Sequence, residues 1–170
     1  LLYSKSIFEG LKEQLNGQRA MLRTPITKYA GSQRYPMFSI GDRASSPIRA
    51  QIVGAQNVGL SGIPLWGSEL PKPKHRKKEG LEKFIRRVQF STFTAGGIFS
   101  KQLPFPYGKQ GVELFRKFAN LRMELLPYTY TVVHQATKTG IPVIRPMLLE
   151  FPRDPYAKLK KLQYMYGDSL

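Results

Sequence analysis

Cysteine is absent from this chain. Disulfides, thiolate nucleophiles and thiolate metal sites are therefore excluded, and composition says nothing of a redox compartment. Histidine is nearly as scarce. His75 lies inside a basic run and His134 near the end of a helical stretch, and two histidines so placed do not build a metal site alone. No metal and no cofactor is expected. No apolar run approaches the roughly 18 residues that span a bilayer, and no signal sequence is visible. Acids are few as well, eleven against twenty-seven lysines and arginines. Only three of them are aspartates: Asp42, Asp154 and Asp168. The stretch GSQRYPMFSIGD, 31–42, ends on the first of these. Why a lone carboxylate stands there is the question that the sequence poses.

What is present bounds the answer. A chain of 170 residues with 41% hydrophobic and 12% aromatic content can bury a sizeable core, so one globular unit is expected. A formal charge of +16 makes polyanions the first suspects as partners. Yet only one dense basic block exists, KPKHRKK at 72–78, with five of the twenty-seven basic residues. It reads as a solvated loop. A nucleic-acid-binding protein would need a continuous basic face with stacking aromatics or a groove-binding helix. Neither appears in the pattern, and no specific nucleic-acid partner is expected.

Helix-period and strand-like segments alternate along the chain. In SIFEGLKEQL, 6–15, apolar residues at Ile7, Leu11 and Leu15 predict an amphipathic helix stopped by Asn16-Gly17. Residues 20–26 read as a short strand. A helix is predicted over 47–57, with Pro47 at the first position, where a missing N–H costs nothing. GLSGIPLWG, 59–67, reads as a buried apolar strand. Leu81, Phe84, Ile85 and Val88 share one face of a helix over 79–93. The longest predicted helix runs from 111 to 138 with a stripe from Leu114 to Val132, a kink at Pro127 and a stop at Gly140. Residues 142–151 read as a further strand. This alternation is the pattern of a βα-layered α/β fold with a parallel sheet. In a barrel of that type the chemistry sits on loops after the strand C-termini. Asp42 and Glu69 each follow a strand-like segment and would point toward one mouth.

GSQRYP at 31–36, GD at 41–42, RAQIVGAQNVGLSGIPLWGSEL at 49–70, LLPYTYTVVHQATKTGIPVIRPMLLEFPRDP at 125–155 and QYMYGDSL at 163–170 together resemble glycoside hydrolase family 31, the α-glucosidase and α-xylosidase family. The resemblance covers nearly the whole chain from Ala20 onward. It implies a retaining hydrolase on a (β/α)8 barrel, with one aspartate as nucleophile and a second as general acid/base. By motif position Asp42 matches the acid/base. Such a group first protonates the leaving glycosidic oxygen and then deprotonates water, with its partner roughly 5 to 5.5 Å away. No WxDxNE-like nucleophile segment occurs here. The chain is also shorter than a barrel of about 250 residues, it opens at Leu1 without a methionine, and missing ends are expected. The resemblance thus implies the later βα units of a partial TIM barrel over 1–155, running into the start of a β-sandwich domain over 156–170. The nucleophile would come from a missing N-terminal barrel segment, and this segment alone is expected to be inactive.

The same resemblance implies a carbohydrate partner of the α-glucoside type, with Phe38, Trp66, Glu69 and Arg23 as possible sugar contacts. Departures from the family pattern accompany it. Ser39 stands where an aromatic is expected, Pro47 where a tryptophan is, and Glu69 where an aspartate is. Ile98 and Ser100 replace an arginine and a histidine, and the substrate-binding arginine is either displaced to Arg23 or lost to Ile26. Two answers therefore stand for Asp42, a proton donor or a buried cap on the helix that follows. Trp66 divides likewise between a sugar-stacking and a packing role. Three functions follow: a family 31 type hydrolase, a degenerate relative that binds carbohydrate or a protein partner, and a basic nucleic-acid-binding protein.

Overall fold

The computed structural model describes residues 2–24, 34–35, 37–40, 46–70, 80–98 and 104–170. Along the chain run α1 (Leu2–Gln14), β1 (Leu22–Thr24), β2 (Met37–Ile40), α2 (Ile48–Leu60), β3 (Trp66–Glu69), α3 (Leu81–Thr92) and β4 (Gly96–Ile98). Then follow α4 (Gly108–Glu124), α5 (Leu126–Thr139), β5 (Ile144–Pro146), α6 (Met147–Glu150) and β6 (Tyr164–Tyr166). The basic run at 72–78, with His75, lies outside the described residues.

Strands β1 to β4 form a four-stranded sheet in chain order, and all three of its ladders are parallel. Each strand therefore ends at the same edge. Helices α2 and α3 pack on one face of it, where Ala55, Trp66, Phe90 and Ile144 make one buried cluster. Leu70, Phe84, Ile85 and Val88 make a second with the apolar side of α4. The helix stripe predicted at Leu81, Phe84, Ile85 and Val88 is the one buried. Strands β5 and β6 pair antiparallel, with Arg145 opposite Met165, in a separate two-stranded sheet. This ladder joins 144–146 to 164–166 and so crosses position 155.

Three expectations need correction. The apolar run 59–67 is not one strand. Helix α2 continues to Leu60, a turn with Gly62 at φ 85° follows, and the strand begins only at Trp66. A short apolar run carries no period by which to separate a buried helix end from a strand. The helix over 111–138 is two helices that meet at Leu125. Pro127 falls in the first turn of α5, the one place in a helix where its missing N–H is harmless, so the predicted kink is a full break. The strand over 142–151 is confined to Ile144–Pro146, because the ladder with β6 ends at Pro146 and MLLE turns helical behind it. Elsewhere the stops hold. Asn16 and Gly17 both take positive φ after α1, and Gly140, at φ 75°, closes α5 in the left-handed conformation that glycine adopts without strain.

The turn between α3 and β4 gathers the rest of the chain. Arg122 on α4 sends its guanidinium to the carbonyls of Ser91 at 3.0 Å, Thr92 at 2.9 Å and Thr94 at 2.9 Å. It reaches that of Ala95 as well, at 3.3 Å. Those of Ser91 and Thr92 are among the C-terminal carbonyls that a helix leaves without intrahelical partners, those of Thr94 and Ala95 lie in the turn that follows, and the helix dipole there favours a cation. From β6, the Tyr164 hydroxyl donates to the Phe93 carbonyl at 3.0 Å, and Tyr166 Oη lies 3.2 Å from the Thr94 carbonyl and 2.7 Å from Thr129 Oγ1. Burial lowers the affinity of Arg122 for its proton, while the neighbouring Tyr166 acts in the opposite sense. Burial likewise pushes both Tyr164 and Tyr166 above the ordinary tyrosine value.

Replacing Arg122 with methionine keeps the stem and removes every donor. The variant is expected to lose about 3 kcal/mol in urea unfolding, since four hydrogen bonds from a charged donor are lost, although Ser91 and Thr94 keep Thr94 Oγ1 and Tyr166 Oη as other donors. The tyrosines predict an alkaline limit. A group whose folded-state pKa is raised gives its full stabilisation below the unfolded value, here near 10.0, and loses it as pH climbs toward the folded value. Melting temperature should fall steadily above about pH 10, and Tyr166→Phe should flatten that fall when measured by circular dichroism from pH 8 upward.

Candidate active site

The C-terminal edge of the sheet is where the described strands end together. The residues that end the strands there are Thr24, Ile40, Glu69 and Ile98. Glu69 is half-buried and stands in register with Ile98 across the β3–β4 ladder. Asp42 follows Ile40 by two residues in sequence and lies outside the described residues, as do Ile26 and Ser100. Arg23 is paired in register with Phe38 one residue before the end of β1, with its side chain outside the description.

Alternation along the strands sorts the remaining candidates onto two faces. Phe38 lies on the face away from α2 and α3, and its ring covers the backbones of Gly67 and Gly96. A Cβ at either glycine would collide with the ring atoms. Two adjacent strands thus lack side chains where one aromatic lies flat, and Glu69 follows Gly67 on the same face. Trp66 points the other way. Only 6% exposed, it packs among Ala55, Phe90 and Ile144 beneath the helices, the placement of a core aromatic and away from the face that carries Phe38.

Beside Trp66 lies a polar seam that sequence reasoning missed. Ser39 is its register partner, and neither Ser39 Oγ nor Trp66 Nε1 has a hydrogen-bond partner among the described residues. Ser68 Oγ donates to Gln51 Oε1 at 3.4 Å. Gln51 Nε2 donates to the Ser46 carbonyl at 3.1 Å, and Arg87 Nη2 donates to the same carbonyl at 3.0 Å. Gln51 and Arg87 are both buried. One signal was available: each stands on the apolar side of its helix, four residues before Ala55 and three after Phe84, where a polar group has to find a partner. Pro47 immediately precedes α2 and is exposed.

This edge carries a half-buried carboxylate, Glu69, while on the same face the Phe38 ring packs against the buried cluster of Leu65, Val132, Ala136, Val143 and Tyr166. Among the described residues no three histidines, aspartates or glutamates converge as a metal site would require, and no helix is long and apolar enough to cross a membrane. A family model described as the glycosyl hydrolases family 31 TIM-barrel domain matches residues 1–132. The chain belongs to glycoside hydrolase family 31.

Relatives across the family agree with this assignment. An α-xylosidase of Saccharolobus solfataricus is 31% identical over 180 residues, covering 98% of this chain and 24% of the relative. The α-glucosidase 2 of Bacillus thermoamyloliquefaciens is 31% identical over 162 residues, covering 90% of this chain and 20% of the relative. This chain therefore spans about a quarter or less of the length of these curated relatives. Among solved structures, a family 31 α-xylosidase from a soil metagenome, complexed with xylose, superposes with a TM-score of 0.79 at 24% identity. That match covers 97% of this chain and 29% of the other. A family 31 dextranase of Flavobacterium johnsoniae, complexed with glucose, gives a TM-score of 0.78 at 24% identity over 98% of this chain and 22% of the other. The parallel sheet with its helices is thus part of a family 31 barrel fold.

The glycine pair under Phe38 yields a test. Gly96→Ala is expected to destabilise by about 1–3 kcal/mol through overpacking. In a Phe38→Ala background the added methyl has room, so a double-mutant cycle by urea unfolding should show strong coupling between the two positions.

Proposed function

We propose that this chain supplies the later βα units of a retaining α-glycosidase, with Asp42 as the general acid/base. Its substrates are α-glucosides or related α-glycosides. Glu69 lines the sugar site at the end of β3, Phe38 contributes from the same face two residues before the end of β2, and Arg23 lies nearby on β1, while Trp66 serves the core. The single observation that carries the reading is the family match over 1–132, which includes the GD at 41–42 two residues beyond the end of β2. In a (β/α)8 enzyme catalytic groups occupy that position, past the C-terminal end of a strand.

The chemistry follows from the retaining mechanism. Asp42 first donates its proton to the leaving glycosidic oxygen while a nucleophilic carboxylate attacks the anomeric carbon. Asp42, now ionised, then takes a proton from the water that releases the sugar. The nucleophile is supplied by a barrel segment outside this sequence. Residues 1–155 make up the barrel portion on this reading, and 156–170 begin a β-sandwich domain whose further strands would extend the β5–β6 ladder.

Hydrolysis of an aryl α-glucoside and an aryl α-xyloside tests the proposal. The chain extended N-terminally to a complete family 31 barrel should cleave at least one of them, and Asp42→Asn should lower the rate by roughly 10²- to 10⁴-fold. If the extended protein is folded but inert, the catalytic reading fails. Calorimetric binding of the same glycosides then decides for a carbohydrate-binding relative.

A further inference from the structure

We propose that Asn16 is a modification site, converted without an enzyme to aspartate and isoaspartate through attack by the backbone of Gly17, and that the conversion loosens the seat of α1. The reacting pair stands in the turn after that helix. Asn16 and Gly17 are both exposed, and both take positive φ, 46° and 86°. A side chain at 17 would crowd the attacking amide, but Gly17 has none, and even an added Cβ there would meet nothing within 4 Å. Among the described residues the Gly17 N–H makes no hydrogen bond that would have to break first. The turn around it is held by Asn16 N–H to the Glu13 carbonyl at 3.3 Å and Gln18 N–H to that of Leu15 at 2.9 Å. Exposed chain at a helix end opens at little free-energy cost, and opening lets the Gly17 nitrogen swing toward the Asn16 side chain.

The reaction needs only the chain and water. The Gly17 backbone nitrogen bonds to Cγ of Asn16, and the side-chain amide nitrogen departs as ammonia, taking the Gly17 N–H proton. Water then opens the cyclic imide. Attack at the side-chain carbonyl gives aspartate, and attack at the main-chain carbonyl gives isoaspartate, whose backbone runs through the former side chain. Nothing is oxidised or reduced. Either product sets a carboxylate at the C-terminal end of α1, where the helix dipole disfavours negative charge. The iso form also lengthens the main chain at a left-handed position that asparagine tolerates. Helix α1 has little to set against this, since none of its residues is buried and it is seated through half-buried Phe8 and Leu11 against Leu22 and Ile63. The other two asparagines differ. Asn57 and Asn120 lie inside α2 and α4 and precede Val58 and Leu121, so helical hydrogen bonding occupies the next amide and a branched side chain shields it.

Incubation of the chain as it stands in mildly alkaline buffer, followed by peptide mapping with mass spectrometry, tests the proposal. The mass gain of an amide-to-acid exchange should accumulate in the peptide that holds Asn16, at a rate within roughly tenfold of that in the chain unfolded by guanidinium, because a fraying helix end opens at close to no cost. Peptides holding Asn57 and Asn120 should stay unmodified while the chain is folded. Fragmentation of the product should show isoaspartate beside aspartate. Amide exchange of the modified fraction should accelerate across α1 while α4 keeps its protection. Asn16→Gln should show neither the mass gain nor the loosening. A folded chain that stays unmodified while the unfolded one reacts, modification spread equally over the three asparagines, or a modified fraction in which α1 is as protected as before would each overturn the proposal.

Discussion

The carbonyls at the end of α3 converge on the guanidinium of Arg122, and the remainder of the structure is arranged around that contact. A helix that runs into a buried parallel strand leaves acceptors where water cannot reach, and they must be met by donors from elsewhere in the chain. Arg122 meets them from α4, and the hydroxyls of Tyr164 and Tyr166 lie against the same turn from β6. Segments separated by some seventy residues are thereby fixed against one short turn. The orientation of α4, the seating of the β5–β6 ladder and the start of β4 are set together.

A second constraint acts along β3. Its residues alternate between a tryptophan buried under the helices and a glycine that leaves room for the Phe38 ring. The strand therefore presents Trp66 to α2 and α3 and leaves the Phe38 ring on its other side, packed against a core of Leu65, Val132, Ala136, Val143 and Tyr166. Glu69, half-buried, ends the strand on the Phe38 side. A polar seam of Ser68, Gln51 and Arg87 lies behind it.

Local pattern was enough to find most helices. The stripes of α1 and α3 stand out because apolar residues recur every three or four positions, and Gly140 ends α5 where glycine alone is comfortable. Strands were harder to find. With two glycines before Ile98, β4 carries almost no apolar signal, and it is a strand because β3 offers it a ladder. The run 59–67 was misread for the opposite reason: it is apolar throughout and so carries no period. Of the candidate site, Phe38 and Glu69 came from motif likeness and fall on one face, whereas Trp66 came from the same motif and turns to the core. Gln51 and Arg87 carry no motif, and only their position on apolar helix faces marks them.

By itself, then, the sequence determined the class of this protein. The order of its segments, the long shared motifs and the absence of cysteine place it among family 31 glycoside hydrolases and exclude thiol chemistry. Tertiary structure alone decided which side of the sheet each candidate faces and which buried donors meet which carbonyls. The physical reason is that periodicity is a local property of the chain. The face of a strand and the partner of a buried polar group are settled only when register and packing bring distant segments into contact.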